Sequence, residues 1–331
     1  MNHGIDIHTH IVPESFPAYA GSAADVPWPS MSPASCGHAH VIISGRTYRT
    51  VPDSCWRPEV RTTEMDAARI ARQVLSPMPE LLSYWLPLSD ARIMCRHLNE
   101  VIARMVATAP ARFLGFGAVP LQDLDTAVGE LEFIVADAKL SGVEVASHVN
   151  GVSIGDPRFE AFFAAAVRLG AAVFVHALHP AGKDRLVGPA ALEQIVAFPG
   201  DIGLAGASLI TGGVLERHPD LRIALSHGGG ALPVMLPRMD HGWRSSPPVA
   251  AAIAQAPSVY AKRLFCDTLT YNPDTLRLAL NTFGEDKVMI GTDYPFVIQD
   301  RDPHGSVSAL GLAGALADAL REGNARRFLR V

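Results

Sequence analysis

Five side chains, far apart along the 331 residues, carry the chemistry in this sequence: His8, His10, His176, His227 and Asp293. Each ends or follows a short apolar run. The runs are Gly4-Ile-Asp-Ile-His-Thr-His10, Ala172-Val-Phe-Val-His176, Ile223-Ala-Leu-Ser-His227 and Val288-Met-Ile-Gly-Thr-Asp293. Histidines two apart on an extended strand point to the same side, so His8 and His10 can reach one ion. With His176 as a third nitrogen and Asp293 as the carboxylate, the set suits Zn2+, or Mn2+, Fe2+ or Co2+ with more open coordination. Such an ion lowers the pKa of bound water to about 7. An imidazole at His227 could orient that water or take its proton, and spacing leaves ligand and base both open. A second His-x-His pair, His38 and His40, follows Cys36-Gly37 in an irregular stretch and reads as surface histidine of a hairpin.

The elements that must position these groups are strands. Besides the opening run, strand patterns fall at 73–76, 113–118, 142–147, 172–176, 222–226, 264–267 and 287–291. Helical patterns fall between and after them, at 58–69, 90–108, 124–138, 157–169, 189–197, 202–217, 273–282 and 306–320. Eight strand–helix units argue an α/β fold with a parallel sheet closed into a (β/α)8 TIM-like barrel, whose chemistry sits at the C-terminal ends of the strands. A doubly wound open sheet is the alternative, but no GxGxxG follows the first strand. The reading is one domain over 1–331 with an insertion at about 13–58. That stretch is rich in Pro, Ser and Gly, and its runs at 40–44 and 47–51 flank Gly45-Arg46 as a β-hairpin over the barrel mouth.

Composition narrows the partners. The chain is 48% hydrophobic and 18% charged with a net charge of -5, enough for a large core and a poor match to nucleic acid. Residues 4–7 are too short for a signal-peptide core, and no stretch offers roughly 18 uninterrupted apolar residues, so no membrane is expected. Cys36, Cys55, Cys95 and Cys266 form no CxxC pair and fit a reducing cytoplasm.

Five motifs together carry a resemblance: Ile5-Asp-Ile-His-Thr-His10, Val119-Pro-Leu-Gln-Asp-Leu-Asp125, Phe174-Val-His176, Ser226-His-Gly-Gly-Gly230 and Gly291-Thr-Asp-Tyr-Pro-Phe296. They resemble the amidohydrolase superfamily over nearly the whole chain, and within it the decarboxylase branch, on the side of the carboxymuconate-semialdehyde decarboxylases. The resemblance implies one zinc held by His8, His10, His176 and Asp293, with His227 beside it assisting the bound water. Members with two metals carry a lysine at the end of strand four, and 142–148 has none. Relatives acting on resorcylate-type and carboxyvanillate-type benzoates tend to have Glu where this chain has His8.

Breaking a carbon–carbon bond to carboxylate requires a sink for the electron pair. The sequence shows no organic-cofactor motif, so metal and substrate must supply the sink, with His227 or Asp293 handling the proton. The resemblance aligns Arg49 and Arg238 with arginines that hold substrate carboxylate, the second reaching over from the other subunit of a homodimer. Phe296 and Trp56 are candidates to line the pocket. The loops at 78–87 and 177–191 depart from the family pattern and leave the exact substrate open. The leading expectation is therefore decarboxylation of a 2-amino-3-carboxymuconate-6-semialdehyde-like ring-cleavage product, a small-molecule carboxylate. A hydroxybenzoate decarboxylase is the first alternative. A metal-dependent hydrolase or hydratase of a lactone, amide or enol acid is the second.

Overall fold

The computed structural model describes residues 4–21, 25–312 and 314–331. Among them, eight parallel strands pair in chain order: β1 (Ile5–Ile11), β2 (Arg72–Pro77), β3 (Phe113–Gly117), β4 (Gly142–Ala146), β5 (Ala172–His176), β6 (Ile223–Leu225), β7 (Phe265–Asp267) and β8 (Val288–Met289). The first strand meets the last. Ile7 N–H donates to the Ile290 carbonyl at 2.9 Å and His10 N–H to that of Tyr294 at 2.7 Å, bringing the sheet round into a (β/α)8 barrel.

Strands buried on both faces need apolar residues in near-continuous runs. Ile5, Ile7, Val74, Phe116, Phe174 and Met289 form one cluster inside the barrel, stoppered by Phe328 of the last helix, Asn324–Leu329. Val143, Val173, Leu225 and Cys266 belong to the larger cluster between sheet and helices. Fully burying one Val, Leu, Ile or Phe stabilises by roughly 1.5–3 kcal/mol, so this cluster gives the site a firmly packed support.

The segment after β1 holds three antiparallel strands, Ser30–Pro33, His38–Ile43 and Arg46–Pro52. His38 and His40 are exposed or half-buried there, their Nδ1 atoms engaged by the Cys36 carbonyl and the Thr50 hydroxyl.

Several helices differ from the sequence expectation, and glycine and proline account for most of it. The pattern at 189–197 becomes helical only from Glu193, as a wide π-type stretch Glu193–Ala197, and the α-helix Phe198–Thr211 follows it with Pro199 at its start. The expected helix 202–217 is Phe198–Thr211 followed by the short Val214–Arg217, parted at Gly212-Gly213. The expected helix 306–320 is split into Pro303–Ser308 and Ala315–Asp318, with Gly311 and Gly314 at positive φ between them. Glu193–Thr211 is long and apolar enough by composition to cross a membrane, but half of it is buried against the rest of the chain.

Candidate active site

β1 brings two imidazoles to the mouth of the barrel. The buried rings of His8 and His10 lie 5.1 Å apart, and that of His176, at the end of β5, lies 5.1 Å from each. Every Nδ1 is engaged: His8 with Asp267 Oδ2 at 2.7 Å, His10 with the Pro77 carbonyl at 2.9 Å, His176 with the Ala177 carbonyl at 2.8 Å. These oxygens only accept, so Nδ1 carries the proton and the lone pair is on Nε2. All three Nε2 atoms are buried without a hydrogen-bond partner. Asp293 Oδ1 stands 3.2 Å from Nε2 of His10 and 3.7 Å from that of His8. One ligand atom from each of the four residues lies within 4.8 Å of every other.

Three inward lone pairs and a carboxylate have no reason to converge in a dry site unless a cation joins them. Local electrostatics agree. Burial opposes charge on His8, yet the bond to Asp267 and the nearby carboxylates raise its pKa to about 9. Burial likewise opposes the charge of Asp293, but His10 and His8 bring its pKa down to about 2. His176, shielded from water and crowded by the other imidazoles, is held well below the usual histidine range. The carboxylates around His8 thus favour a cation at its Nε2, His176 keeps its lone pair, and the four residues have the donor set of a mononuclear divalent-metal site.

His227 follows β6 in a left-handed backbone conformation, φ 54°. Its ring lies 5.0 Å from His176 and 5.3 Å from His8, outside the four-residue ligand cluster. Its Nδ1 meets the Ser226 hydroxyl at 2.9 Å, leaving Nε2 for the cleft, and burial lowers its pKa to about 4. Asp267 secures the turn. This buried carboxylate at the end of β7 accepts the backbone N–H groups of His227 at 3.0 Å and Gly228 at 2.6 Å, besides its bond to His8. Asp293 is also left-handed, φ 61°, with its N–H donating to the His8 carbonyl at 2.9 Å. Strained non-glycine conformations persist where the surroundings over-determine them, as these hydrogen bonds do. The glycines after His227 serve packing first: a Cβ on Gly230 would stand 2.2 Å from the Pro199 carbonyl oxygen.

A cleft opens above these groups, lined among others by Arg49, Glu80, Phe198, His227, Asp293 and Phe296. The Phe296 ring stacks on His10 with centroids 5.1 Å apart, and the Arg49 guanidinium lies 4.1 Å over the same ring. Cation–π attraction thus holds a fixed positive charge one ring away from the ligand cluster.

The amidohydrolase family model matches residues 5–331. The chain belongs to the amidohydrolase family. It is 33% identical over 327 residues to the 2-amino-3-carboxymuconate-6-semialdehyde decarboxylase of Dictyostelium discoideum, covering 98% of this chain and 91% of that one. To the gamma-resorcylate decarboxylase of Rhodococcus jostii (strain RHA1) it is 31% identical, covering 72% and 77%. Its fold matches the dihydroxybenzoic acid decarboxylase of Polaromonas sp. JS666, solved with bound manganese and 2-nitroresorcinol, with a TM-score of 0.78 at 22% identity over 100% and 97% of the two chains.

Within this amidohydrolase barrel, the sequence-predicted residues divide. His8, His10, His176, His227 and Asp293 come together, and Arg49 and Phe296 border them. Trp56 does not join the cleft lining: it caps the turn Asp53–Cys55 and packs half-buried against the large core. Arg238 is exposed on helix Leu232–Ser245 and is not part of the cleft within one chain. Besides Glu144 of β4, 3.7 Å from His10 Nδ1, sequence reasoning missed three further buried groups. Asp267 is described above. Arg61 donates to the His10 carbonyl at 2.9 Å and to Gln73 at 2.9 Å, steadying β1 from outside. Glu80 lies beside Arg49 in the cleft wall. Asp267 closes a strand, a sign too weak by itself to single out one acid. The other two are lone charges whose partners are distant in sequence.

Proposed function

We propose that the chain is a metal-dependent, non-oxidative decarboxylase of a carboxylated, conjugated ring-cleavage product of the 2-amino-3-carboxymuconate-6-semialdehyde type. The observation that carries this reading is the stack His10–Phe296–Arg49, which puts a guanidinium next to a three-histidine, one-aspartate centre. A substrate with two carboxylates can leave one on Arg49 while the other is lost at the centre. The likeness to the Dictyostelium discoideum decarboxylase supports the same substrate class.

His8, His10, His176 and Asp293 would hold the ion, with Zn2+ favoured by the nitrogen-rich set and Mn2+, Fe2+ or Co2+ as substitutes. When bound, the ion supplies Lewis acidity and a fixed positive charge. Arg49 grips the retained carboxylate through its planar fork. His227, neutral at pH 7, would relay a proton from solvent through Nε2 to the substrate carbon bearing the departing carboxylate, with Asp293 as the alternative group for this role. The C–C bond then breaks, carbon dioxide leaves, and the bonding pair flows into the conjugated system that the proton has made electron-poor. The net change replaces CO2 by H on carbon, with no oxidant consumed. No organic cofactor is needed for that balance.

The reading extends to a cytoplasmic homodimer of single-domain subunits. Four free cysteines, three of them buried, support a reducing compartment. Arg238, exposed and outside the lining of its own cleft, would serve a neighbouring subunit's site. Mixing Arg49→Ala with Arg238→Ala chains tests this: a shared site regains activity in the mixture, and no rescue removes the shared arginine.

The deciding experiment is CO2 release by zinc-loaded protein, with a chelated control, from carboxymuconate semialdehydes, hydroxybenzoates and lactones. Metal-dependent CO2 from the first class is expected. Turnover of hydroxybenzoates alone would favour the second reading, which the likeness to the Rhodococcus jostii enzyme supports. Solvent oxygen in the product without CO2 would make the chain a hydrolase or hydratase.

A further inference from the structure

We propose that Glu80 is a specificity residue: with Arg49 it receives a substrate carboxylate whose neighbouring carbon carries an amino or hydroxyl hydrogen-bond donor. The inference rests on the decarboxylase reading of the cleft and narrows its substrate class.

Glu80 lies in the turn Pro79–Leu81, just past the end of β2, and is only 6% exposed. Its Oε1 accepts the hydroxyl of Tyr48 and stands 3.8 Å from an Arg49 nitrogen. Its Oε2 is buried and has no hydrogen-bond partner. A carboxylate oxygen taken from water and left unpaired is costly, and such groups in native proteins call for an explanation. Here the residue also lines the cleft, so the missing donor can arrive with a ligand.

The position is hard to explain if Arg49 need only bind a carboxylate. An anion beside the guanidinium partly cancels the charge that would attract substrate and repels a bare carboxylate. The contradiction disappears if the ligand presents both polarities. Arg49 offers its N–H fork to an acceptor, and Glu80 Oε2 accepts from an adjacent N–H or O–H. A 2-amino or 2-hydroxy acid arm meets both demands at neighbouring atoms. A plain dicarboxylate satisfies Arg49 and leaves Glu80 unpaired, whereas an aromatic acid whose one carboxylate is lost brings nothing to Arg49. A site built to bond a donor discriminates strongly against the analogue without it, because its own polar group is then stranded.

The competing role for Glu80 is a latch, tying the strand Arg46–Pro52 to the barrel through Tyr48. Two variants separate the roles. Glu80→Gln keeps the shape and an oxygen for Tyr48 but removes the charge. Tyr48→Phe removes the latch and leaves the carboxylate.

The test is calorimetric titration of zinc-loaded protein with glutarate, 2-hydroxyglutarate and glutamate, probes that bind without needing to react. Wild type should bind the two donor-bearing probes roughly 10–100-fold more tightly than glutarate, as expected for one hydrogen bond to a charged acceptor. Glu80→Gln should bring the three affinities close together with zinc content unchanged, while Tyr48→Phe should keep the preference. Equal or absent binding of the probes by wild type overturns the proposal. So does a preference that survives Glu80→Gln or disappears in Tyr48→Phe. A chain that discriminates the probes yet releases no CO2 from any acid would refute the decarboxylase reading and leave the recognition of a donor-bearing acid standing.

Discussion

The floor of the cleft and its rim are built on opposite plans. On the floor the groups sit on or just beyond barrel strands, and the three ligand histidines are buried and each held at Nδ1 by a carbonyl or carboxylate of the scaffold. At the rim, Arg49 comes from the strand Arg46–Pro52 outside the barrel sheet and Glu80 from a turn, and their mutual contact is a loose 3.8 Å. The floor is over-determined and the rim is under-satisfied. Groups that bind a cation and move protons must be fixed before substrate arrives, because misplacing them is costly. Groups that choose among substrates gain from polar atoms whose partners only the right ligand completes. One barrel can therefore keep its chemistry while its substrate changes, since function is set by the site and not by the fold.

The floor's largest predicted failure is at the ligands. Asp293→Asn or His176→Ala should abolish metal-dependent turnover and drop metal content measured by atomic emission, with circular dichroism unchanged. Chelation of the wild type should do the same. If either treatment unfolded the barrel, the metal would belong to the scaffold, and the contrast between floor and rim would lose its basis.

His227→Asn should come next. Its ring lies outside the ligand cluster, so metal content should hold while kcat falls by roughly a hundred- to ten-thousand-fold, the usual share of a positioned acid–base group. Loss of metal in this variant would make His227 a fifth ligand and erase its distinction from the other four.

Asp267→Asn should have a smaller, more specific effect. The carboxylate accepts from His8 Nδ1 and from the N–H groups of His227 and Gly228 at once. An amide that keeps its oxygen for the Gly228 and Leu269 N–H groups puts its NH2 in the place of Oδ2, facing His8 Nδ1 and losing the His227 N–H bond. That reverses the tautomer and moves the proton to Nε2, where a ligand needs its lone pair. Metal affinity should fall about 10–100-fold, as for other supporting groups of this kind, and titration with a competing chelator would read it. Unchanged affinity would mean that β1 alone orients His8.

What could be read beforehand follows the same division. Floor residues announce themselves because each ends an apolar run, and strand periodicity puts His8 and His10 on one face before any tertiary information. Asp267 also ends such a run, but a single acid has no second residue nearby to mark it as special. Glu80 and Arg61 carry no local sign at all, since their meaning lies in Arg49 and in the His10 carbonyl, both remote in sequence. Helix limits failed where Gly212-Gly213, Gly311 and Gly314 parted patterns that looked continuous. The last helix, Asn324–Leu329, is too short to show periodicity, although Phe328 closes the barrel interior.

Trp56 gives the smallest expected effect and tests where the rim ends. As an aromatic in the segment after β1 it reads as a pocket wall, but it lies outside the cleft lining and packs against the large core. Its backbone N–H closes the turn Asp53–Cys55 by donating to the Asp53 carbonyl at 3.0 Å, a bond indifferent to the side chain. Trp56→Phe should therefore leave kcat/KM and probe affinities unchanged. It should destabilise by about 1–2 kcal/mol, since the smaller ring leaves part of a half-buried contact unfilled. Thermal unfolding of the metal-loaded protein would measure that loss. A changed KM with unaltered melting would put Trp56 on substrate after all, and would extend the rim from Arg49 to the turn Asp53–Cys55.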